Sequence, residues 1–209
     1  MGQECTMKIV ENFLSVQEIE QIKKHYKDHS FTCDIGDYAN TEVDQELFNK
    51  ILHEKFITLF DSYKITQASI YQRCYLPFGI HTDSKTRMDP TRSVNTEGVA
   101  VLIPLDEGEH FNTVVWKEKC ANNEEITQLI TDFVNLPNDK VQNSNITEEV
   151  DLDFAWGKGE RNFCNHLTLD GVYNWKLGTA VIWERNQLHA SSDFTKHHKY
   201  KDAITTFFE

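Results

Sequence analysis

Residues 175–191 read WKLGTAVIWERNQLHAS, a succession of turn, apolar strand, polar turn and histidine. Gly178 marks the first turn, the apolar run 178–185 predicts a strand, and His189 follows the second turn. The segment 200–208 reads YKDAITTFF, and its β-branched and aromatic residues predict a further strand. The end of the chain is therefore predicted to carry a histidine between two strands.

Further short β-type runs precede this segment. They predict strands at 65–75, 99–105 and 112–116, each bounded by turn residues. Several short strands divided by turns are typical of a double-sheet jelly roll. An acidic, Asn-rich stretch at about 117–165, with one predicted helix over 124–134, interrupts the pattern and is interpreted as an insertion between strands.

Helices are predicted at the front of the chain. Ser15 and Glu18 have the spacing of a capping box, and apolar residues recur at helical spacing after them. A second apolar stripe predicts a helix over about 44–61. We therefore expect one domain, 1–209, that is mostly β with flanking helices (α+β): a double-stranded β-helix, or jelly roll, buttressed by its N-terminal helices.

Composition argues against several classes of function. A net charge of −12 disfavours nucleic acid as a partner, because phosphate backbones are bound by clustered Lys and Arg. Neither a membrane-spanning apolar run nor a secretory signal is recognisable, so we expect a cytoplasmic protein that does not bind membranes. Five cysteines without a CxxC pair disfavour a zinc cluster and a disulfide framework.

A candidate metal site begins in residues 75–83, YLPFGIHTD, which contain the only HxD sequence of the chain. Side chains two apart on an extended strand point to the same side, so His81 and Asp83 can share one ion. Such a pair is weak evidence by itself, because it also arises by chance. His189 is the candidate third ligand, since it follows a strand and a turn.

Together, the HxD pair, the distal histidine and a cation at the start of the next strand resemble the Fe(II)/2-oxoglutarate-dependent oxygenases, in particular their prolyl-hydroxylase-like and phytanoyl-type branches. The resemblance covers about 65–208. It implies that His81, Asp83 and His189 hold Fe(II), with no catalytic residue beyond these ligands. It also implies 2-oxoglutarate as co-substrate, dioxygen as second substrate, and hydroxylation with release of succinate and CO2. Two imidazoles and one carboxylate leave open positions on iron, as this chemistry requires.

The same resemblance implies a cation for the far carboxylate of 2-oxoglutarate. Lys201 is the preferred candidate, but Lys199 lies two residues earlier and stays open as an alternative. Thr205 shares the predicted face of Lys201 and is a weaker candidate for the same carboxylate. Tyr71, on the strand before the HxD pair, is a weak candidate contact. Trp183 is predicted to lie in the core, and Arg185 is either a substrate-binding or a structural cation.

Two other functions remain open from the sequence. A jelly roll also serves as a non-catalytic binding module, and a zinc hydrolase uses the same ligand types around an activated water. A cation on the last strand favours the oxygenase, because neither alternative needs it. The substrate, either a small molecule or a protein side chain such as proline, and the oligomeric state are not indicated.

Overall fold

The computed structural model describes residues 7–28, 31, 33–34, 36–60, 64–83, 98–121, 123–134 and 166–209. Ten strands lie in this part of the chain and form two antiparallel sheets. The strands are β1 (Lys8–Val10), β2 (Cys33–Asp34), β3 (Tyr38–Glu42), β4 (Ile65–Cys74), β5 (Val99–Pro104), β6 (Asn112–Lys119), β7 (Leu169–Asn174), β8 (Ala180–Glu184), β9 (Gln187–Ser191) and β10 (Lys201–Phe208).

Most helical residues lie in the N-terminal part of the chain, before β4. They are α1 (Val16–Tyr26), α2 (Gln45–Leu47), a π-helical segment (Phe48–Leu52), α3 (His53–Leu59) and α4 (Asn123–Val134). Ser15 caps α1 through the predicted capping box with Glu18. The helix predicted over 44–61 is present as helical residues 45–59, but its centre is π-helical. An apolar stripe does not distinguish a π-helical turn from an α-helical one.

The two sheets face each other across one core. The larger has the strand order β1-β8-β5-β10-β4-β3-β2 and the smaller the order β7-β6-β9. A buried cluster joins them, with Leu102, Val181 and Ala203 from the larger sheet and Val115 and Tyr173 from the smaller. The predicted mostly-β jelly-roll architecture is confirmed at this level.

The central strand β10 separates two environments. Ala203 and Phe207 belong to the cluster between the sheets, whereas Ile204 and Phe208 belong to a cluster on the opposite, outer face. Because side chains alternate along a strand, Lys201 shares the inner face with Ala203. Every residue of β10 is buried.

The outer face of the large sheet is covered by apolar helical residues. Ile19 and Ile22 of α1 and Phe56 of α3 lie in one buried cluster with Ile204 and Phe208 of β10. Phe56 and Phe208 meet with ring centroids 4.8 Å apart. Burial of apolar area stabilises such contacts by roughly 25 cal/mol per Å².

The turn before β8 depends on Gly178. Its φ is +78°, a left-handed conformation that favours glycine. A Cβ atom here would lie 2.6 Å from the carbonyl oxygen of Leu14, so the site also excludes a larger residue sterically. The predicted glycine turn into this strand is therefore present.

The outer face of the small sheet carries a third apolar cluster, in which Trp116 of β6, Leu188 of β9 and Ile126 of α4 are buried together. The insertion at about 117–165 stays a prediction, and β6 continues to Lys119, into the start of that stretch. Its part at 135–165 lies outside the described residues. No helix of the described residues is long and apolar enough to cross a membrane.

Candidate metal centre

The HxD segment lies beside β9 as an irregular edge of the small sheet. His81 and His189 form an antiparallel bridge, and each backbone N–H donates to the other residue's carbonyl oxygen at 3.0 Å. The N–H of Ser191 donates to the carbonyl of Phe78 at 3.0 Å, which extends the pairing. Residues opposite each other in such a bridge carry their side chains on one side. The backbone therefore brings the two predicted histidines together, with ring centroids 4.2 Å apart.

The carboxylate of Asp83 completes the cluster. One donor atom from each of His81, Asp83 and His189 lies within 4.8 Å of the other two. The Nε2 atom of His189 is 3.4 Å from Oδ2 of Asp83. In the part of the chain that the structure describes, this is the one group of three or more His, Cys, Asp or Glu with such convergence.

Both imidazoles are oriented for metal binding. Nδ1 of His81 lies 2.6 Å from the carbonyl oxygen of Gly79, and Nδ1 of His189 lies 3.0 Å from that of Gln187. A carbonyl oxygen only accepts, so Nδ1 is the donor in each of these hydrogen bonds, and Nε2 is the ring nitrogen that could ligate a metal. Hydrogen bonds of this kind orient histidine ligands in metal sites. Two nitrogens and one carboxylate are a donor set suited to Fe(II) with open positions.

Lys201 is a buried cation in the core between the sheets. It is 1% exposed, and its Nζ atom donates to Oγ of Ser191 at 2.7 Å. The Trp175 and Phe194 rings lie 4.0 and 4.9 Å from the same nitrogen. Burial lowers the pKa of Lys201 to about 8. Among the described residues, no carboxylate forms an ion pair with Lys201.

The other predicted co-substrate contacts lie elsewhere. Lys199 is exposed and precedes β10. The hydroxyl of Thr205 donates to Oε1 of Gln72 at 3.2 Å, and about 13 Å of strand separates the α-carbons of Thr205 and Lys201. A role for Thr205 at the co-substrate stays a prediction. Sequence reasoning missed Ser191, although its position two residues after His189 on a strand places it on the same face.

Tyr71 does not lie beside the metal cluster, and its role as a co-substrate contact stays a prediction. Tyr71 lies on the outer face of the large sheet, where its ring stacks on Tyr26 with centroids 4.2 Å apart. Its hydroxyl donates to Oδ2 of Asp202 at 2.7 Å. The strand prediction was correct, but alternation directs this residue away from the metal cluster.

Comparison with known proteins gives similarity in structure alone. No protein-family model matches the chain, and no curated protein matches its sequence. HygX from Streptomyces hygroscopicus, with nickel and 2-oxoglutarate bound, is similar over 98% of this chain and 83% of its own, with 10% identity and a TM-score of 0.57. The non-haem α-ketoglutarate-dependent epimerase SnoN from nogalamycin biosynthesis is similar over 99% and 78%, with 8% identity and a TM-score of 0.60. A Pseudomonas putida prolyl-4-hydroxylase is similar over 98% and 92%, with 10% identity and a TM-score of 0.52.

Proposed function

Because the chain has the fold of the Fe(II)- and 2-oxoglutarate-dependent oxygenases, we propose that it is itself such an oxygenase. Its proposed metal ligands are His81, Asp83 and His189. Its proposed co-substrate anchor is Lys201. The proposed reaction is hydroxylation: an unactivated C–H bond, dioxygen and 2-oxoglutarate give an alcohol, succinate and CO2.

The convergence of the three ligand side chains carries this proposal. Their donor atoms lie within 4.8 Å of one another, and hydrogen bonds at Nδ1 orient both imidazoles so that Nε2 could ligate the metal. Three protein donors on one side of a six-coordinate ion leave three positions open. The keto-acid end of 2-oxoglutarate and dioxygen together require three positions, so the donor set fits the proposed cofactor and substrates.

The placement of Lys201 supports 2-oxoglutarate as the second component. Ser191, to which the ammonium donates, lies two residues beyond His189 on β9, about 7 Å along the strand. An extended dicarboxylate the size of 2-oxoglutarate covers such a step. Its far carboxylate would give the buried ammonium the anionic partner that a charge in this environment requires.

The described residues around the site have separate tasks in this reaction. The bound metal and co-substrate supply the oxidising chemistry, while the protein binds and orients them. Lys201 and Ser191 orient the co-substrate, and the rings of Trp175 and Phe194 exclude water from that carboxylate. His81 is less buried than His189, so substrate is expected to approach from its side.

The structural neighbours are enzymes of more than one reaction type. They include an epimerase and a carbocyclase as well as a prolyl-4-hydroxylase. Among these reaction types, we take hydroxylation as the simplest proposal for this chain. The substrate class, a small molecule or a protein side chain, is left open. The buried Lys201 favours the oxygenase over a binding module or a zinc hydrolase, since neither needs a cation beside the metal cluster.

Uncoupled turnover, the conversion of 2-oxoglutarate to succinate in the absence of a primary substrate, tests this function. Purified protein incubated in air with Fe(II), ascorbate and 2-oxoglutarate should release succinate, and omission of Fe(II) should abolish the product. His81→Ala and His189→Ala should each abolish succinate formation. His197→Ala is the matched control, because His197 is exposed and stacks on His110 with centroids 3.7 Å apart. Equal succinate from His189→Ala and His197→Ala would refute the proposal.

A further inference from the structure

We propose that Trp183 and Arg185 are positioning residues that hold Asp83 in its metal-binding orientation. The inference rests on the proposed function, because it concerns the same metal site. Both residues belong to the segment that runs from β8 in the large sheet through a short turn to β9 in the small sheet, which carries His189. This β8–β9 segment would then supply one ligand directly and control a second ligand through hydrogen bonds.

Trp183 contacts two of the three proposed ligands. Its indole Nε1 donates to Oδ2 of Asp83 at 3.3 Å, and its ring centroid is 4.8 Å from that of His189. Oδ2 is also the atom that lies 3.4 Å from Nε2 of His189. The indole therefore fixes the carboxylate rotamer that directs Oδ2 toward the histidine. Trp183 is buried in the core between the sheets, so its ring has little freedom.

Arg185 holds the backbone of Asp83 from both ends. Its carbonyl oxygen accepts a hydrogen bond from the Asp83 N–H at 2.7 Å, and its Nη2 atom donates to the Asp83 carbonyl at 3.0 Å. The guanidinium carbon lies 4.9 Å from the Phe207 ring centroid. Arg185 is buried and is itself held by the fold.

Asp83 needs this support because it lies outside the regular strands. The two histidines are aligned by the bridge between their backbones, whereas Asp83 stands in a turn beyond it. A carboxylate also rotates about two side-chain bonds. The two hydrogen bonds with Arg185 restrain the backbone of Asp83, and the one from Trp183 restrains its carboxylate. Supporting residues of this type typically change metal affinity or activity 10- to 100-fold.

Replacement of Trp183 by Phe tests the carboxylate contact. Trp183→Phe removes the indole N–H and keeps an aromatic ring, and Trp116→Phe is its matched control. Trp116 is fully buried in the cluster outside the small sheet, and no described residue accepts a hydrogen bond from its Nε1. Affinity for Co(II) and Ni(II), measured by calorimetry without co-substrate, should fall about tenfold in Trp183→Phe and less than twofold in Trp116→Phe. Equal losses in the two variants would overturn the inference.

A double-mutant cycle tests whether Trp183 acts through Asp83. In an Asp83→Ala background, the two histidines would still bind Ni(II), which has a high affinity for imidazole. Trp183→Phe should then cost less than twofold, because the group on which it acts is gone. A tenfold loss in that background would overturn the inference. The visible spectrum of the Co(II) form should change in Trp183→Phe and not in Trp116→Phe.

Arg185→Lys tests the backbone contact and keeps the positive charge. Lysine cannot reproduce the planar guanidinium fork, so we expect about tenfold weaker Ni(II) binding. Arg73→Lys is the control, because Arg73 pairs with Asp202 on the outer face. Arg73→Lys should lower thermal stability without changing metal affinity. Unchanged metal affinity in Arg185→Lys, beside a wild type that binds metal, would refute only the role of Arg185.

A wild-type chain that binds no metal would overturn both the inference and the proposed function.

Discussion

Lys201 and Asp202 are consecutive residues of β10, one on each face of the large sheet. On the outer face, Asp202 accepts hydrogen bonds from the Tyr71 hydroxyl at 2.7 Å and from Nε and Nη2 of Arg73, each at 2.9 Å. On the inner face, Lys201 is surrounded by a hydroxyl and aromatic rings, and no carboxylate of the described residues pairs with it. A charge that serves only the fold is neutralised within the fold. The charge of Lys201 is not, which is the condition expected of a site that binds an anion.

The largest expected effect is on the outer face. Asp202→Ala should lower the free energy of unfolding by on the order of 3 kcal/mol, because it leaves the Arg73 guanidinium and the Tyr71 hydroxyl without their shared acceptor. Arginine stays charged without an acidic partner, so Arg73 would remain a partly buried cation when Asp202 is lost. Urea denaturation measures the change. An unfolding midpoint equal to that of the wild type would show that the outer pair does not support the fold.

On the inner face, replacement of Lys201 should weaken co-substrate binding without lowering the stability of the fold. Lys201→Met keeps the side-chain volume and removes a buried charge, so stability should stay the same or rise. Affinity for 2-oxoglutarate should fall about 10- to 100-fold, as expected for the loss of a hydrogen-bonded charge pair of about 1.5–3 kcal/mol. Calorimetry with the Fe(II)-loaded protein under argon measures it. If Lys201→Met unfolded as readily as Asp202→Ala and bound 2-oxoglutarate normally, Lys201 would support the fold and not the co-substrate.

The affinity for 2-oxoglutarate should depend on pH through the ammonium group of Lys201. Burial lowers the pKa of Lys201 to about 8, so its ammonium loses a proton as the pH rises past this value. Affinity for 2-oxoglutarate should therefore be about tenfold weaker at pH 9 than at pH 7. Lys201→Arg should remove this dependence, because arginine stays charged throughout this range. A wild-type affinity that did not change between pH 7 and pH 9 would contradict the assignment.

The same titration affects stability with a definite sign. Between about pH 8 and the unfolded pKa of about 10.4, the unfolded chain binds the lysine proton and the folded protein does not. The unfavourable contribution of Lys201 is therefore complete below pH 8 and diminishes as the pH rises through this window. The difference in stability between the wild type and Lys201→Met should narrow accordingly when measured at pH 7 and pH 10.

The smallest expected effect is that of Lys199→Ala. Lys199 is exposed and precedes β10, so its removal should change the affinity for 2-oxoglutarate by less than twofold. This variant decides between the two lysines that the sequence leaves open. If Lys199→Ala lost affinity and Lys201→Met did not, the anchor would be Lys199.

Part of the site was accessible from the sequence because it follows from local periodicity. The two-residue spacing of His81 and Asp83, and the strand and turn before His189, led to the proposal of one cluster when combined with the resemblance to the oxygenase family. The choice between Lys201 and Lys199 was not accessible, since alternation is identical for residues two apart. Burial separates them, and burial depends on the packing of both sheets.

The contacts that the sequence did not reveal depend on sheet pairing. The face on which Tyr71 lies was not accessible, because Gln72 and Arg73 put polar residues on both faces of β4 and no alternation indicates which side is inner. Trp183 was not proposed as a site residue, since its contact with Asp83 joins residues that are 100 positions apart in the chain. The π-helical turn at Phe48–Leu52 likewise has no distinct apolar pattern.

Anaerobic titration with Fe(II), with and without 2-oxoglutarate, tests the convergence of His81, Asp83 and His189 most directly. We expect a weak visible charge-transfer band that appears only when both components are present, at one equivalent of Fe(II) per chain. The band should be absent in His189→Ala and retained in His197→Ala. A wild-type protein that shows no band, or a His189→Ala protein that keeps it, would contradict the proposed metal centre.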